Sequence, residues 1–224
     1  MTLTTRVAGA LFDLDDTLLD RHGTVVRYLG GQCARFSGLA GLYDAYTNRF
    51  HELDANGWTD RATLFAALSA EFPSIGSAED LADDFRKFAW TDCVLMDRAT
   101  DVLRELRSRG VRLGIVTNGS SEMQRAKLNH SGLLGFVDFA LVSGEEGVAK
   151  PNAEIFHRAT RRLGLAPQQV MFVGDNPRND VDGARGAGLL PVWLRHELPW
   201  PGEIEAPGFM ITSLGELIQA RTDS

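Results

Sequence analysis

Three aspartates crowd into four positions directly after an apolar run near the start of the chain. The run, residues 7–12, is typical of a buried strand, and Asp13, Asp15 and Asp16 follow it. Because side chains alternate along a strand, Asp13 and Asp15 should project to the same side. Two carboxylates at such a short distance repel each other. A divalent cation bound by their oxygens would remove this repulsion. The alternative interpretation is a polar strand end that runs into a turn.

Further along the chain, apolar runs alternate with segments of helical periodicity. Buried strands are predicted at 111–117, 139–142, 170–173 and 189–194. After the first of these, Ser121 and Gln124 form a candidate capping box that would open a helix. The alternation predicts an α/β fold, in which helices cover both faces of a parallel sheet. Ligand sites in such sheets lie beyond the carboxyl ends of the strands.

Residues 20–93 have a different pattern. They carry aromatic and apolar residues at helical spacing, such as Leu64, Phe65, Leu68 and Phe72. Glycine- and proline-containing breaks separate these stretches, and no run is typical of a buried strand. The pattern predicts an all-helical insert at 20–93 within a core formed by 1–19 and 94–224.

Polar groups follow each of the first four predicted strands of the sheet. They are Asp13, Asp15, Thr117, Asn118, Lys150, Asp175 and Asp180. Each one alone has an ordinary interpretation as a turn residue, a strand end or a solvated loop lysine. A parallel sheet would bring all of them to one edge. Carboxylates, a hydroxyl and an amine gathered around a metal suit phosphoryl transfer, where positioning and charge stabilisation dominate catalysis.

The pattern resembles the haloacid dehalogenase superfamily of hydrolases over residues 7–194. The matching motifs are Asp13-Leu-Asp15-Asp-Thr17, Thr117-Asn118-Gly119, Lys150-Pro151, and Gly174-Asp175 with Asn179-Asp180. The resemblance implies a Rossmann-like core, and an insert directly after the first motif looks like the helical cap of one subfamily. The stretch 144–152 is similar to the branch that holds pyrimidine-nucleotide and sugar-phosphate phosphatases.

The resemblance also implies roles for the acidic motif residues. Asp13 would be the nucleophile that attacks phosphorus and forms an aspartyl-phosphate. Asp15 would be the general acid for the leaving group and then the base for the hydrolytic water. Mg²⁺ would be held by the carboxylates of Asp13 and Asp175 and by the backbone carbonyl of Asp15.

The remaining motif residues would handle the phosphoryl group. Thr117 and the Asn118 backbone would hold phosphate oxygens. Lys150 would bind the phosphoryl group and offset its charge and that of the nucleophile, so its removal should lower turnover without unfolding the chain. Thr117 and Lys150 therefore count as catalytic residues together with the two aspartates. Asp180 would not bind the metal directly but would orient Lys150 or a metal-bound water.

The leading hypothesis is a Mg²⁺-dependent phosphatase that hydrolyses a small soluble phosphomonoester, either a nucleotide or a sugar phosphate. A 2-haloacid dehalogenase is an alternative, although it needs neither a metal nor the second aspartate, so Asp15 and Asp175 argue against it. A phosphomutase would have the same motif residues. A non-catalytic binding protein on the same fold is the alternative outside enzymes.

Charge and hydropathy restrict partners and location. The net charge of −7 and a pI near 5.2 argue against a broad nucleic-acid-binding face, which needs clustered lysine and arginine. The N-terminal residues lack an apolar core of signal-peptide length, and nowhere do about eighteen apolar residues run together. We expect a cytoplasmic monomer or homodimer that binds a small phosphate ester and neither nucleic acid nor a membrane.

Overall fold

A computed structural model describes residues 7–197 and 199–219 of the chain. Within them the strands are β1 (Gly9–Phe12), β2 (Leu19–Asp20), β3 (Val94–Leu95), β4 (Arg112–Thr117), β5 (Phe139–Val142), β6 (Val170–Gly174), β7 (Leu190–Leu194) and β8 (Phe209–Ile211). Six strands form one sheet in the order β5-β4-β1-β6-β7-β8, and every neighbouring pair is parallel. The other two, β2 and β3, form a short antiparallel ribbon.

Helices account for most of the remaining regular structure. Within the described residues they are α1 (Arg21–Arg35), α2 (Tyr43–Asp54), α3 (Arg61–Glu71), α4 (Ala78–Phe88), α5 (Ala99–Ser108), α6 (Ser121–Ser131), α7 (Ser143–Glu146), α8 (Ala153–Leu163), α9 (Gly183–Gly186) and α10 (Glu216–Gln219). A π-helical turn occupies Pro177–Asp182. No helix in 7–197 or 199–219 combines the length and apolar character that crossing a membrane requires.

The central strands are buried along their whole length. Every residue of β1 and of β6 is buried, as expected for parallel strands covered by helices. Leu11 of β1 and Phe172 of β6 pack with Phe156 of α8 in one core cluster, and the Phe156 and Phe172 rings meet edge to face at 5.0 Å. The predicted α/β fold with a parallel sheet is confirmed.

The chain divides into two compact units. One contains the sheet and consists of 7–20 and 94–219, among the described residues; the other is Arg21–Cys93. Residues 21–93 are all described and form helices and turns without a strand. The insert is held together by aromatic packing, in which the Phe85 ring lies 5.5 Å from Phe65 and 6.1 Å from Phe50.

Three details differ from the sequence-based predictions. The first strand begins at Gly9 and ends at Phe12, so Asp13 and Asp15 both follow it and the alternation of a strand does not govern their directions. The strands β2, β3 and β8 have only two or three residues, too few to show a period. Helix α6 is capped by the Ser120 side chain, which accepts from the Met123 amide, so the predicted capping box is wrong.

Candidate active site

The motif residues gather at the carboxyl edge of the sheet. Strand β1 lies between β4 and β6, with Phe12 level with Ile115 on one side and Val173 on the other. The Asp13 amide still donates to the Val173 carbonyl at 2.9 Å, so the backbone of Asp13 is fixed to the sheet. Thr117 ends β4, and Asp175 directly follows β6. Sequence and topology therefore place these residues side by side.

A buried lysine bridges two of the aspartates. The Lys150 Nζ donates to Asp13 Oδ1 at 2.6 Å and to Asp180 Oδ1 at 2.7 Å. The side chains of Lys150 and Asp180 are only 2% and 1% exposed. The Phe172 ring centroid lies 5.2 Å from Nζ. A buried ammonium needs negatively charged partners nearby, and the carboxylates of Asp13 and Asp180 are those partners.

Burial dominates the protonation of this cluster. Desolvation raises the pKa of Asp13 to about 7, although the neighbouring Lys150 ammonium acts in the opposite direction. Desolvation, followed by the negative charge of Asp180, raises the pKa of Asp175 to about 8. Burial alone would lower the pKa of Lys150, but the two adjacent carboxylates outweigh it and raise that pKa. The cluster therefore carries more negative charge than the protein itself stabilises.

This cluster fits a divalent cation. Carboxylate oxygens of Asp13, Asp175 and Asp180 lie within 4.8 Å of one another. Both Asp180 oxygens already accept hydrogen bonds, Oδ1 from Lys150 and Oδ2 from the Asn176 amide at 2.9 Å. Asp175 Oδ1 accepts from the Thr17 hydroxyl at 3.2 Å, which orients the carboxylate. Asp13 and Asp175 are thus the better candidates for direct ligands, with Asp180 behind them.

A glycine makes the position of Asp180 possible. A Cβ built on Gly174 would overlap the Asp180 carboxylate. Asn176 completes the turn, since its side-chain oxygen accepts from the amides of Arg178 and Asn179. Sequence analysis overlooked Asn176, which lies in a stretch that reads as ordinary turn chemistry.

Asn118 joins two of the motif loops. Its side chain accepts from the Lys150 amide and donates to the Lys150 carbonyl, both at 2.9 Å. This reciprocal pair fixes the backbone from which the lysine side chain reaches Asp13. Because the Asn118 side chain is engaged with Lys150, its backbone amide is the better candidate for a phosphate contact.

The Asp15 side chain contacts two residues of α6. Both of its carboxylate oxygens lie 2.8 Å from the Lys127 Nζ, and Oδ2 also accepts from the Gln124 side chain at 3.0 Å. Gln124 also donates to the Thr117 hydroxyl at 2.5 Å. Sequence analysis missed Lys127 and interpreted Gln124 as a capping residue. The available signal was their spacing, since 124, 127 and the apolar Leu128 share one helical face.

Comparison with protein families places the chain in a class of enzymes. The family model of haloacid dehalogenase-like hydrolases matches residues 7–188. The chain belongs to this family of hydrolases.

Three curated relatives are named as phosphatases or nucleotidases. A phosphoserine phosphatase of Thermus thermophilus is 30% identical, with 94% of this chain and 97% of the relative covered. A glyceraldehyde 3-phosphate phosphatase of Pyrococcus abyssi is 31% identical, covering 83% and 80%. The pyrimidine 5'-nucleotidase YjjG of Escherichia coli is 37% identical over 57% of this chain and 56% of its own length.

Solved structures share the fold. YfnB of Bacillus subtilis, described as a HAD-hydrolase bound to magnesium, superposes with a TM-score of 0.73 at 28% identity, covering 95% of this chain and 97% of that one. An L-2-haloacid dehalogenase of Xanthobacter autotrophicus has a TM-score of 0.69 at 19% identity, covering 94% and 96%. At that identity the likeness shows the fold alone.

Proposed function

We propose that the chain is a Mg²⁺-dependent phosphatase that hydrolyses a small phosphomonoester through an aspartyl-phosphate. The observation that carries the proposal is the Asp13–Lys150–Asp180 arrangement, with Asp175 beside it at the same sheet edge. A carboxylate held by an ammonium group, next to a second carboxylate that fits a cation, suits attack on phosphorus. The phosphatase names of the relatives support the same reaction class.

The proposed chemistry begins at Asp13. Its carboxylate oxygen attacks phosphorus, and Asp15 donates a proton to the leaving oxygen as the P–O bond breaks. Asp15 then accepts a proton from the water that hydrolyses the aspartyl-phosphate. When bound, Mg²⁺ supplies positive charge next to the phosphoryl oxygens. We assign its direct ligands to the carboxylates of Asp13 and Asp175 and the carbonyl of Asp15.

Other residues of the chain hold the phosphoryl group in place. The Thr117 hydroxyl and the Asn118 amide bind its oxygens in this proposal. Lys150 keeps Asp13 oriented and adds positive charge, and Asp180 in turn orients Lys150. We also propose that residues 20–93 act as a cap on which substrate choice depends. A cytoplasmic location and a monomeric or homodimeric state stay predictions.

A panel of phosphate esters tests the proposed function. It contains nucleoside monophosphates, sugar phosphates, phosphoglycolate, phosphoserine and an aryl phosphate, each assayed with Mg²⁺ and with a chelator. We expect hydrolysis that depends on Mg²⁺, with one class of ester turned over well above the others. If the folded protein hydrolyses none of them, the proposal is wrong, and 2-haloacids and phosphoryl transfer between sugar carbons would be assayed next.

Mg²⁺ should stabilise the fold more at about pH 9 than at about pH 6. The pKa values of Asp13 and Asp175 are raised from 3.8 to about 7 and about 8, so both groups are protonated in the metal-free fold at low pH. Their contribution to stability is fully present below the unfolded-state pKa and is lost as pH rises through the folded-state values. Protons and Mg²⁺ compete for the same oxygens, so metal binding restores stability mainly at high pH.

Urea unfolding with and without Mg²⁺ at both pH values measures this effect. A Mg²⁺ concentration about a hundredfold above its Kd would add about 2.7 kcal/mol to the free energy of unfolding. The Asp175→Asn variant should lose most of the gain, whereas Asp182→Asn, which alters an exposed carboxylate nearby, should keep it. An equal gain at both pH values would contradict the assignment of these ligands.

A further inference from the structure

The inner face of α6 carries two buried polar side chains that the proposed mechanism leaves unused. Gln124 and Lys127 lie one helical turn apart, and both are buried together with Leu128. Lysine and glutamine are seldom buried in this way unless they are paired. Their positions on a face that packs inward indicate a specific task at the edge of the sheet.

Lys127 forms an ion pair with both carboxylate oxygens of Asp15. Its Nζ lies 2.8 Å from both oxygens, and its side chain is 4% exposed, against 23% for Asp15. A buried ammonium that contacts both oxygens restricts rotation of the carboxylate as well as attracting it. The lysine therefore limits the directions in which Asp15 can present its oxygens.

Gln124 connects this carboxylate to the phosphate-binding motif. One amide nitrogen donates both to Asp15 and to the Thr117 hydroxyl. Space for the connection depends on Gly119, since a Cβ at that position would lie 2.8 Å from the Gln124 Cγ. The side chain thus sets the separation between the proton-transfer group and the hydroxyl proposed to hold phosphate.

Asp15 lies outside the regular part of the sheet, since β1 ends at Phe12. It forms an isolated bridge with Leu19. The next residue, Asp16, has a φ of 56°, so the chain turns sharply there. A carboxylate on such a turn needs side-chain contacts to keep one orientation, and α6 supplies them.

We propose that Lys127, assisted by Gln124, is a positioning residue for Asp15 that holds the carboxylate in register with Thr117 for proton transfer to the leaving group. The inference rests on the proposed phosphatase activity. Proton transfer is sensitive to the placement of the donor, and a misplacement of about 1 Å can cost about a hundredfold in rate. The proton moves from the Asp15 carboxyl to the leaving oxygen as the P–O bond breaks, so the orientation of that carboxyl controls the step.

Leaving-group dependence separates this role from a purely structural one. A nitrophenyl phosphate has a good leaving group that needs little protonation, whereas an alkyl phosphate needs the acid. In Lys127→Met we expect kcat/KM, which reports the step that expels the leaving group, to fall about 10- to 100-fold for the alkyl ester and only a few-fold for the aryl ester. Slower hydrolysis of the shared aspartyl-phosphate would lower kcat and KM together for both esters, so it leaves the ratio of their kcat/KM values unchanged.

Three further variants complete the experiment. Asp15→Asn removes the acid itself and shows how far the ratio of aryl-ester to alkyl-ester kcat/KM then changes. Lys127→Met should change this ratio in the same direction. Lys127→Arg keeps a bidentate donor and should restore much of the alkyl activity. Arg125→Met removes a positive charge from the same helix, where Arg125 pairs with Glu145, and should leave the ratio unchanged.

The outcomes distinguish the inference from the function on which it rests. Wild-type turnover combined with an unchanged ratio in Lys127→Met overturns the inference alone. Failure of the wild type to hydrolyse either ester overturns the proposed function and the inference with it. If circular dichroism shows that Lys127→Met does not fold, Lys127→Gln, which retains a donor, is compared with Gln124→Leu. An unchanged ratio in both then overturns the inference.

Discussion

Replacing Asp13 with asparagine should reduce kcat for every phosphate ester by about four orders of magnitude or more, a loss typical of removing a catalytic nucleophile. An amide cannot form the acyl phosphate, although it has almost the same volume as the carboxylate. Lys150 keeps Asp180 as a partner in this variant, at 2.7 Å in the parent structure. The neutral amide also relieves the crowding that raises the pKa of Asp175, since Asp13 is one of its causes. The loss of activity should therefore come without loss of the fold.

Two measurements check the expectation for Asp13. Turnover is compared with that of Asp182→Asn, in which an exposed carboxylate on the adjacent π-helical turn undergoes the same chemical change. Acid quenching after incubation with a ³²P-labelled ester should leave label on the wild type and none on Asp13→Asn. Label retained on that variant would show that a different residue is the nucleophile.

Replacing Lys150 with methionine should reduce kcat by about a thousandfold and also destabilise the fold. The ammonium is 2% exposed and contacts both Asp13 and Asp180, so its removal leaves two buried carboxylates without their cation. Breaking a buried ion pair from one side costs about 3 to 5 kcal/mol. The sequence alone predicts a loss of turnover without unfolding, because a lysine before a proline gives no sign of burial. The structure therefore changes the prediction for stability.

A double variant separates the two effects of Lys150. Lys150→Met with Asp180→Asn removes both members of the buried pair, so much of the lost stability should return while activity stays low. Lys87→Met, which removes an exposed ammonium from α4, is the control for the loss of a positive charge. Thermal melts and kcat are measured for all three. Wild-type turnover in Lys150→Met would exclude Lys150 from catalysis. A melting temperature equal to that of the wild type would contradict a stabilising role of the buried Lys150–Asp180 pair.

The architecture could be predicted because its determinants are local. A parallel strand covered on both faces needs a continuous apolar run, and such runs can be recognised at β1, β4, β5, β6 and β7. Parallel topology then brings the ends of neighbouring strands together, which explains why the sequence alone groups Asp13, Thr117 and Asp175. The two-residue ribbon strands and the three-residue β8 have no comparable signal, since their pairing depends on neighbours distant in the chain.

The contacts of individual polar side chains were decided by the tertiary structure. Gln124 has the spacing of a capping residue, yet the sheet next to α6 directs it to Thr117 and Asp15. Lys127 would pass for a solvated helical lysine in the sequence, and only packing against the sheet buries it beside a carboxylate.

The sequence by itself therefore determined the class of fold, the family and the group of residues at the sheet edge, because periodicity and motif spacing are properties of the chain. Only the tertiary structure decided which carboxylate each lysine neutralises. Lys150 pairs with Asp13 and Asp180, and Lys127 pairs with Asp15. Burial and distance set the strength of a charge pair, and both arise only when segments more than a hundred residues apart come together.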